Sequence, residues 1–292
     1  MSKTQTKNNK KYTIITDSTS DLRNADMTGT AFDFTTVPLT FQVGGFDYTD
    51  DENVNLTDVM VKMKQSKQSP KTACPSPEAF AEQMRSGNDE IFCITISSKL
   101  SGTYQSACLA ADMVREEQPN KKIFVLDSLS ASSGSARIAH KLIDLIGSEK
   151  YTFKEITEQL TEIRNKNKIR FLLNDLSNLA KTGRMGKIAS LITSIIPIKL
   201  ICGDDTKGEI KQYKKVVGFN KALDAISELP GESLTQEGLE NPIYIAHCNN
   251  AESAGILKKL LESKFGFKNI KTLFMRGVTT FLANDKGLAI AY

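Results

Sequence analysis

The stretch CITISSKLSGTYQSA, residues 93–107, is the segment from which the fold of this chain is inferred. It begins as an apolar run typical of a buried β-strand, passes through a turn rich in hydroxyl groups and ends in a helix pattern. Because the first N–H groups of a helix lack partners within the helix, such a turn can bind an anion. Ser101 would offer a hydroxyl, Gly102 would admit a ligand close to the main chain, and Thr103 would add a donor. A capped helix without any ligand has the same pattern, so this segment alone leaves both interpretations open.

Three other turns along the chain have a similar composition. They lie at residues 17–21, 71–78 and 127–130, and the first and last of them directly follow apolar strands. The middle one is typical of a capped helix start with prolines beside it. In an open α/β sheet such turns lie together at the carboxyl ends of the strands, where ligands usually bind. We therefore expect the hydroxyl-rich turns to surround a ligand site.

Strand and helix patterns alternate through the first half of the chain, which predicts a parallel sheet covered by helices. The expected strands lie near residues 12–16, 37–43, 91–96 and 123–126, and the expected helices near residues 56–67, 79–85, 104–117 and 132–146. The predicted fold class is α/β, with a parallel-sheet N-terminal domain and a second α/β domain.

The second half carries its own series of elements. Helices are expected at residues 153–165, 185–194, 221–229 and 251–265, strands at 171–173, 197–202, 209–217, 243–247 and 270–275, a turn at 203–205 and a polar loop at 231–238. We expect the boundary between the two halves near residues 148–170, which include the first of these helices. We predict a disordered tail at residues 1–11, an N-terminal domain at 12–160 and a C-terminal, lipid-binding domain at 161–292.

Composition and charge exclude several classes of function. The chain has 292 residues, of which 40% are hydrophobic, so it can bury a large core. Its net charge of +4 is small and its lysines are scattered, so no nucleic-acid-binding surface is indicated. No apolar run approaches the roughly 18 residues that cross a membrane, and stable membrane insertion is not expected.

The five cysteines and two histidines also limit the chemistry. The cysteines form no Cys-x-x-Cys pair, which favours a reducing, cytoplasmic environment. No cluster of cysteine, histidine and carboxylate has metal-ligand spacing, so neither a metal nor another cofactor is expected.

Four motifs, taken in order, resemble those of the DegV family of bacterial fatty-acid-binding proteins. They are DSTSDL at residues 17–22, TACPS at 72–76, SSKLSGTYQSA at 97–107 and KTGRMGKIASL at 181–191. Each motif alone would be weak, but the combination is specific and spans most of the chain.

The resemblance implies a fold, a ligand and a partner. It implies two α/β domains with a long-chain fatty acid in an apolar tunnel and its carboxylate near the domain junction. By motif, Thr72 and Ser101 would hold the carboxylate, together with the backbone at Gly102. The protein would not be an enzyme; it would present the fatty acid to a separate kinase that makes acyl phosphate. Physical chemistry agrees, because an ionised carboxylate taken out of water needs several hydrogen bonds.

Two positions depart from the family pattern. Leu282 stands where the resemblance implies a histidine that reaches the carboxylate, and Val217 stands where it implies an arginine. We therefore expect a head group that is held less tightly, or a different ligand.

Other functions remain open on the sequence. A serine-dependent acyl hydrolase or transferase would need Ser97 or Ser101 with His247, but no Gly-x-Ser-x-Gly elbow surrounds either serine. The basic, glycine-containing segment 182–187 lacks P-loop spacing and is either a solvated helix entry or an anion contact. A third possibility is a degenerate family member that acts as an interaction protein without a ligand.

Overall fold

The structure is a computed structural model that describes residues 10–66, 71–186, 198–233 and 239–292. Its first sheet consists of four parallel strands in the order β2-β1-β6-β7. These strands are β1 (Tyr12–Asp17), β2 (Phe32–Val37), β6 (Glu90–Thr95) and β7 (Lys122–Asp127). Every residue of β1 and β6 is buried, as expected for central strands covered on both faces. The parallel-sheet prediction for the first half is confirmed.

Helices connect and cover these strands. They are α1 (Leu56–Gln65), α2 (Pro77–Ser86), α3 (Thr103–Glu117), α4 (Ser133–Gly147) and α5 (Phe153–Lys166). The helix after TACPS begins as the sequence predicts, because the Ser76 side chain accepts a hydrogen bond from the N–H of Ala79 and proline occupies the first turn. A small antiparallel sheet in the order β4-β3-β5 lies beside them and is formed by β3 (Thr40–Val43), β4 (Phe46–Thr49) and β5 (Lys71–Ala73).

The second half forms a six-stranded sheet in the order β10-β9-β8-β13-β11-β12. Its strands are β8 (Ile169–Leu172), β9 (Ile198–Asp204), β10 (Ile210–Val217), β11 (Ile243–His247), β12 (Ile270–Phe274) and β13 (Leu288–Ala291). Its helices are α6 (Ser177–Lys181), α7 (Phe219–Glu228), α8 (Ala251–Phe265) and α9 (Gly277–Ala283). Neighbouring strands are antiparallel except for the parallel pair β11 and β12. The α/β class predicted for this half is confirmed.

Helix α4 joins the two halves. It packs against β6 of the first sheet and against β11 and β13 of the second. One continuous apolar cluster accordingly includes Phe92 from the first sheet, Leu142 from α4 and Tyr244 from the second. The predicted boundary at residue 160 falls inside α5, which packs against α4. The domain boundaries stay a prediction.

Several predicted elements differ from those observed. The single strand expected at 37–43 is two strands, because Pro38 cannot donate to a ladder. Strand β9 continues through Asp204, so the turn expected at 203–205 lies at 205–208 instead. The elements that were not predicted are helices α6 and α9, strand β13, residues 32–36 of strand β2 and the short strands β4 and β5. Most of the helix expected at 185–194, most of the loop at 231–238 and most of the tail at 1–11 lie outside the described residues.

Among the described residues, no helix has both the length and the hydropathy needed to cross a membrane.

Candidate functional site

An apolar cavity lies where the loops of the first sheet meet one face of the second sheet. Its empty space, counting the open solvent at its mouth, is about 770 Å³. Strand β8 forms its floor, with Ile169, Phe171 and Leu173 lining the cavity from alternate positions along the chain. Leu100 and Leu129 from the loops of the first sheet cover it. Because most of its lining residues are apolar, the cavity suits an apolar ligand.

Arg184 brings three of the sequence motifs together at one end of this cavity, which we call the head-group end. Its Nη2 donates a hydrogen bond of 2.6 Å to Oγ1 of Thr72, and its Nε donates one of 2.9 Å to the carbonyl oxygen of Leu100. The guanidinium has five N–H donors, and two of them are used in these bonds. Thr72 accepts rather than donates here, so its own hydroxyl proton remains available.

Ser101 and Gly102 follow directly after Leu100. The hydroxyls of Ser101 and Thr103 lie 2.8 Å apart, and because one of them donates to the other, the second keeps a free proton. Gly102 is the N-cap residue of α3 and makes no side-chain cap, while the N–H of Thr103 donates to Oγ of Ser101 at 3.4 Å. A Cβ at Gly102 would lie 3.5 Å from Sγ of Cys74 in TACPS. Thr72, Ser101 and Gly102 therefore lie near one another, although none of the three lines the apolar cavity itself.

Arg184 lies in the segment that the sequence analysis left open between a solvated helix entry and an anion contact, and it is a candidate site residue. It is half-buried and lines the cavity. Burial lowers the pKa of its guanidinium, and no carboxylate of the described residues forms an ion pair with it. A desolvated cation without a counter-ion favours an anionic ligand. The sequence shows an arginine in KTGRMGK. It does not show that this arginine contacts TACPS and LSGTY, because those contacts are tertiary.

Two aspartates hold the loop that carries Ser101. Oδ2 of Asp17 accepts a hydrogen bond of 2.6 Å from the N–H of Ile96, and Oδ1 of Asp127 accepts one of 3.0 Å from the N–H of Ser98. The hydroxyl of Ser97 donates to the carbonyl oxygen of Gly208, 2.8 Å away on the second half. Burial raises the pKa of Asp17 to about 6. These bonds fix the loop and leave Ser101 at its end.

The turn at 17–21 also attaches α9 to the first half. Asp21 accepts hydrogen bonds from the N–H of Arg276 at 2.8 Å and from the hydroxyls of Thr279 and Ser132. Burial raises the pKa of Asp21 to about 7. We call Asp21 and these three partners, together with Asp50, the clasp.

Asp50 adds to the clasp from the small sheet. Its Oδ1 accepts a hydrogen bond of 2.7 Å from the N–H of Gly277, and its Oδ2 accepts one of 3.0 Å from the N–H of Val278. Burial raises the pKa of Asp50 as well. Gly277 is required at this position, because an added Cβ would lie 2.7 Å from Oδ1 of Asp50.

The clasp uses hydroxyl groups of the turns that we expected to surround a ligand site. Thr19, Ser132 and Thr279 do line the cavity, but their hydroxyls donate to Asp17 or Asp21. Their polar atoms are satisfied by the protein, so this part of the wall presents little polarity to a ligand.

The serine-hydrolase arrangement is not formed by the described residues. Nδ1 of His247 accepts a hydrogen bond from the N–H of Asn250, and the ring packs edge-on against Phe274. Burial lowers the pKa of His247. The hydroxyls of Ser97 and Ser101 have the partners given above, and neither is bonded to His247.

The two positions that depart from the family pattern lie in different surroundings. Leu282 on α9 is half-buried and lines the cavity together with Leu179 and Arg184. Val217, at the end of the edge strand β10, is 57% exposed and does not line the cavity. Among the described residues, no group of three or more histidine, cysteine, aspartate or glutamate side chains could hold a metal ion.

Comparison with known proteins identifies the family. The DegV family model matches residues 11–292. The chain belongs to the DegV family. A DegV domain-containing protein of Streptococcus pyogenes is 32% identical to it, over 96% of this chain and 99% of the relative.

Solved structures of DegV proteins have the same fold. A DegV protein of Ruminococcus gnavus, refined with vaccenic acid, superimposes with a TM-score of 0.89 at 31% identity, covering 96% of this chain and 99% of that one. The fatty acid kinase B3 protein of Streptococcus pneumoniae, loaded with linoleic acid, also has a TM-score of 0.89, at 30% identity and with 97% and 99% coverage. A DegV protein of Eubacterium eligens, loaded with heptadecanoic acid, has a TM-score of 0.88 at 25% identity, covering 96% and 98%.

Proposed function

We propose that this protein binds a long-chain fatty acid with its acyl chain in the apolar cavity and its carboxylate at the head-group end. Thr72, Ser101 and the backbone at Gly102 would donate to the carboxylate, and Arg184 would neutralise it. The observation that carries the proposal is the half-buried Arg184, which lines an apolar cavity and touches Thr72 without a carboxylate partner among the described residues. The fatty acids in the related DegV structures support it.

The two parts of such a ligand would contribute differently. Each methylene moved from water into the cavity contributes about 0.8 kcal/mol, so the acyl chain supplies most of the affinity. The head group must recover the cost of leaving water, which requires several hydrogen bonds to the ionised carboxylate. Arg184 and the free hydroxyl protons of Thr72 and of the Ser101–Thr103 pair offer these bonds.

We propose further that the protein acts as a carrier that presents the fatty acid to a kinase, without catalysis of its own. The kinase would phosphorylate the carboxylate to give an acyl phosphate. Support comes from the description of the Streptococcus pneumoniae relative as a fatty acid kinase B3 protein. The separation of His247 from Ser97 and Ser101 favours a carrier over a hydrolase.

The test of ligand binding is extraction of the protein, purified from a bacterial host, with organic solvent, followed by mass spectrometry. We expect stoichiometric fatty acid in the wild-type protein and a reduced amount in Arg184→Met prepared in parallel. An extract without fatty acid, together with no heat of binding for added palmitate or oleate, would refute the proposal. Presentation is tested separately by following acyl phosphate formation with a family kinase and the loaded protein.

A further inference from the structure

An acidic side chain lies in the wall of the apolar cavity, where strand β8 begins. Asp204, the last residue of β9, lines the cavity together with Ile169, the first residue of β8. The two residues are in contact, because the N–H of Ile169 donates a hydrogen bond of 3.3 Å to Oδ1 of Asp204. We call the wall formed by Asp204 and Ile169 the acidic end of the cavity. The fatty-acid binding proposed above leaves Asp204 without a role.

The register of the strands directs the Asp204 side chain to the cavity face of the sheet. Phe171 of β8, which lines the cavity, is paired with Cys202 of β9. Paired residues share one face of a sheet and successive residues alternate between faces, so Asp204 lies on the same face as Cys202. Ile210 of β10, which is paired with Asp204, also lines the cavity. The position of Asp204 along its strand therefore makes its side chain part of the cavity wall.

The protein uses one carboxylate oxygen of Asp204 and leaves the other without a donor. Oδ1 accepts a hydrogen bond of 2.7 Å from Nη1 of Arg170 in addition to the one from Ile169. Oδ2 has no hydrogen-bond donor among the described residues, and the side chain is only 12% exposed. A carboxylate taken out of water needs hydrogen bonds to both of its oxygens. Oδ2 is therefore an acceptor that a ligand could satisfy.

A second acceptor without a donor lies nearby on the same face. Gln212 of β10 is paired with Cys202, and its Oε1 is buried without a hydrogen-bond partner. Asp204 and Gln212 are diagonal neighbours, and such residues of an antiparallel pair lie about 7–8 Å apart. Gln212 does not line the cavity, so we assign contact with a ligand to Asp204 alone. Two unsatisfied acceptors in one region favour a ligand group that donates a hydrogen bond.

The charges at the acidic end indicate which kind of donor fits. Arg170 already forms an ion pair with Asp204, so the pair as a whole is neutral. A carboxylate would be repelled by Asp204, and the head group would therefore stay with Arg184. A neutral donor avoids both the repulsion and the cost of burying another charge. The neutral donor that an acyl chain can carry is a hydroxyl group.

We propose that the acidic end is a subsite for a hydroxyl group on the acyl chain, so that the protein binds hydroxylated long-chain fatty acids and Asp204 selects them. This inference rests on the proposed fatty-acid site. The chain hydroxyl would donate to Oδ2 of Asp204. In a wall without this acceptor, the same hydroxyl would be buried unpaired and would weaken binding.

The experiment compares stearate with three derivatives that carry a hydroxyl group at the tenth, the twelfth or the terminal carbon. Each is titrated below its micelle-forming concentration at about pH 8, because burial raises the pKa of Asp204 to about 6 and the carboxylate is then ionised. The quantity measured is the dissociation constant of each derivative divided by that of stearate. We expect a ratio near or below one for one hydroxyl position and a ratio of about ten or more where the hydroxyl misses Asp204.

Variants then assign the subsite to Asp204. The double variant Arg170→Met with Asp204→Leu removes the buried ion pair as a unit, a change that proteins often tolerate. We expect it to raise the ratio at the preferred position about tenfold and to leave stearate binding unchanged. Asp204→Asn keeps an acceptor for Arg170 and serves if the double variant fails to fold; it should raise the ratio about threefold, because neutral hydrogen bonds are weaker. Asp26→Asn is the control, at an exposed position that does not line the cavity.

The outcomes separate this inference from the function on which it depends. If stearate binds but all three derivatives bind at least about tenfold more weakly, the hydroxyl subsite is refuted and the fatty-acid site stands. A preferred position whose ratio is the same in the wild type, the double variant and Asp204→Asn would also refute the subsite, because the preference would then arise from chain packing. No binding of any of the four ligands would refute both proposals.

Discussion

The clasp and the head-group end are both built from hydroxyl-rich turns, but their hydrogen bonds are completed differently. In the clasp, the hydroxyls of Ser132 and Thr279 donate to Asp21, whose carboxylate also accepts from a backbone N–H. At the head-group end, Thr72 only accepts, and Arg184 has donors left over. The first region is a closed network that holds the two halves together, and the second is an open one with unused donors.

This difference explains how a cavity lined by threonines and serines can still suit an acyl chain. Hydroxyls that donate to buried aspartates no longer need a partner in the cavity, so they add little polarity to its wall. Burial makes the two carboxylates costly to ionise, although the hydrogen bonds that they accept partly offset this cost. The pKa values of Asp17 and Asp21 are therefore raised to about 6 and about 7. The clasp is therefore expected to control stability, and the head-group end to control binding.

The largest expected effect breaks the clasp. Asp21→Ala removes the acceptor for the N–H of Arg276 and the hydroxyl of Ser132, and it leaves the hydroxyl of Thr279 only its bond of 3.2 Å to the carbonyl oxygen of Arg276. We expect the free energy of unfolding to fall by about 3–5 kcal/mol, measured by denaturant titration. Asp26→Ala, at an exposed position, should change it by less than about 0.5 kcal/mol. A loss below 1 kcal/mol in Asp21→Ala would show that the clasp contributes little.

The second prediction concerns the pH dependence of the same network. Because burial raises the pKa of Asp21 from 3.8 to about 7, the native state holds this proton across a range where the unfolded chain has released it. The stability contributed by Asp21 is therefore present near pH 4 and is lost as the pH rises to about 7. Asp21→Asn cannot titrate, so its free energy of unfolding should fall less steeply over this range than that of the wild type.

The difference between the two slopes is the quantity to measure, because other carboxylates titrate in both proteins. One titrating group contributes at most about 1.4 kcal/mol per pH unit, and we expect a total of about 1–3 kcal/mol. Parallel curves for the wild type and Asp21→Asn between pH 4 and pH 7 would contradict the raised pKa.

The third prediction moves to the open network. Arg184→Met removes the cation and its spare donors, so palmitate should bind more weakly by about 2–3 kcal/mol, or roughly 30- to 150-fold. Calorimetric titration measures this change, and Arg23→Met at an exposed position serves as the control. The melting temperature should change much less than in Asp21→Ala. An unchanged affinity would place the carboxylate elsewhere.

The fourth prediction tests the two hydroxyls assigned by motif. Thr72→Val and Ser101→Ala each remove one hydrogen bond to the carboxylate, so each should weaken palmitate binding by about 1–3 kcal/mol. Thermal melting checks that the fold is retained. If neither variant changes the affinity, the assignment of Thr72 and Ser101 from the family motifs is wrong.

The sequence predicted the sheets and most of the helices because alternating patterns and caps are local. It missed α9 and β13, since α9 is only seven residues long and its start is fixed by Asp50 and Asp21, which are far away in the chain. The family motifs predicted that Thr72, Ser101 and Gly102 hold the carboxylate, and this assignment stays a prediction. It could not distinguish the turn at 17–21, which closes the clasp, from the turn at 97–102, which remains open, because the partners of both turns are tertiary contacts.

The smallest effect is expected at Leu282, which touches both regions. It lies on α9, the helix held by the clasp, and lines the cavity beside Arg184. Leu282→His would add a donor beside the proposed carboxylate, so palmitate binding should tighten by about 1 kcal/mol. The same leucine packs against two apolar clusters, so the imidazole should also lower the melting temperature. Leu282→Met is the matched control, because it keeps an apolar side chain of similar volume without a donor. Lost stability without tighter binding in Leu282→His would mean that residue 282 acts through packing alone and that Arg184, Thr72 and Ser101 hold the carboxylate without it.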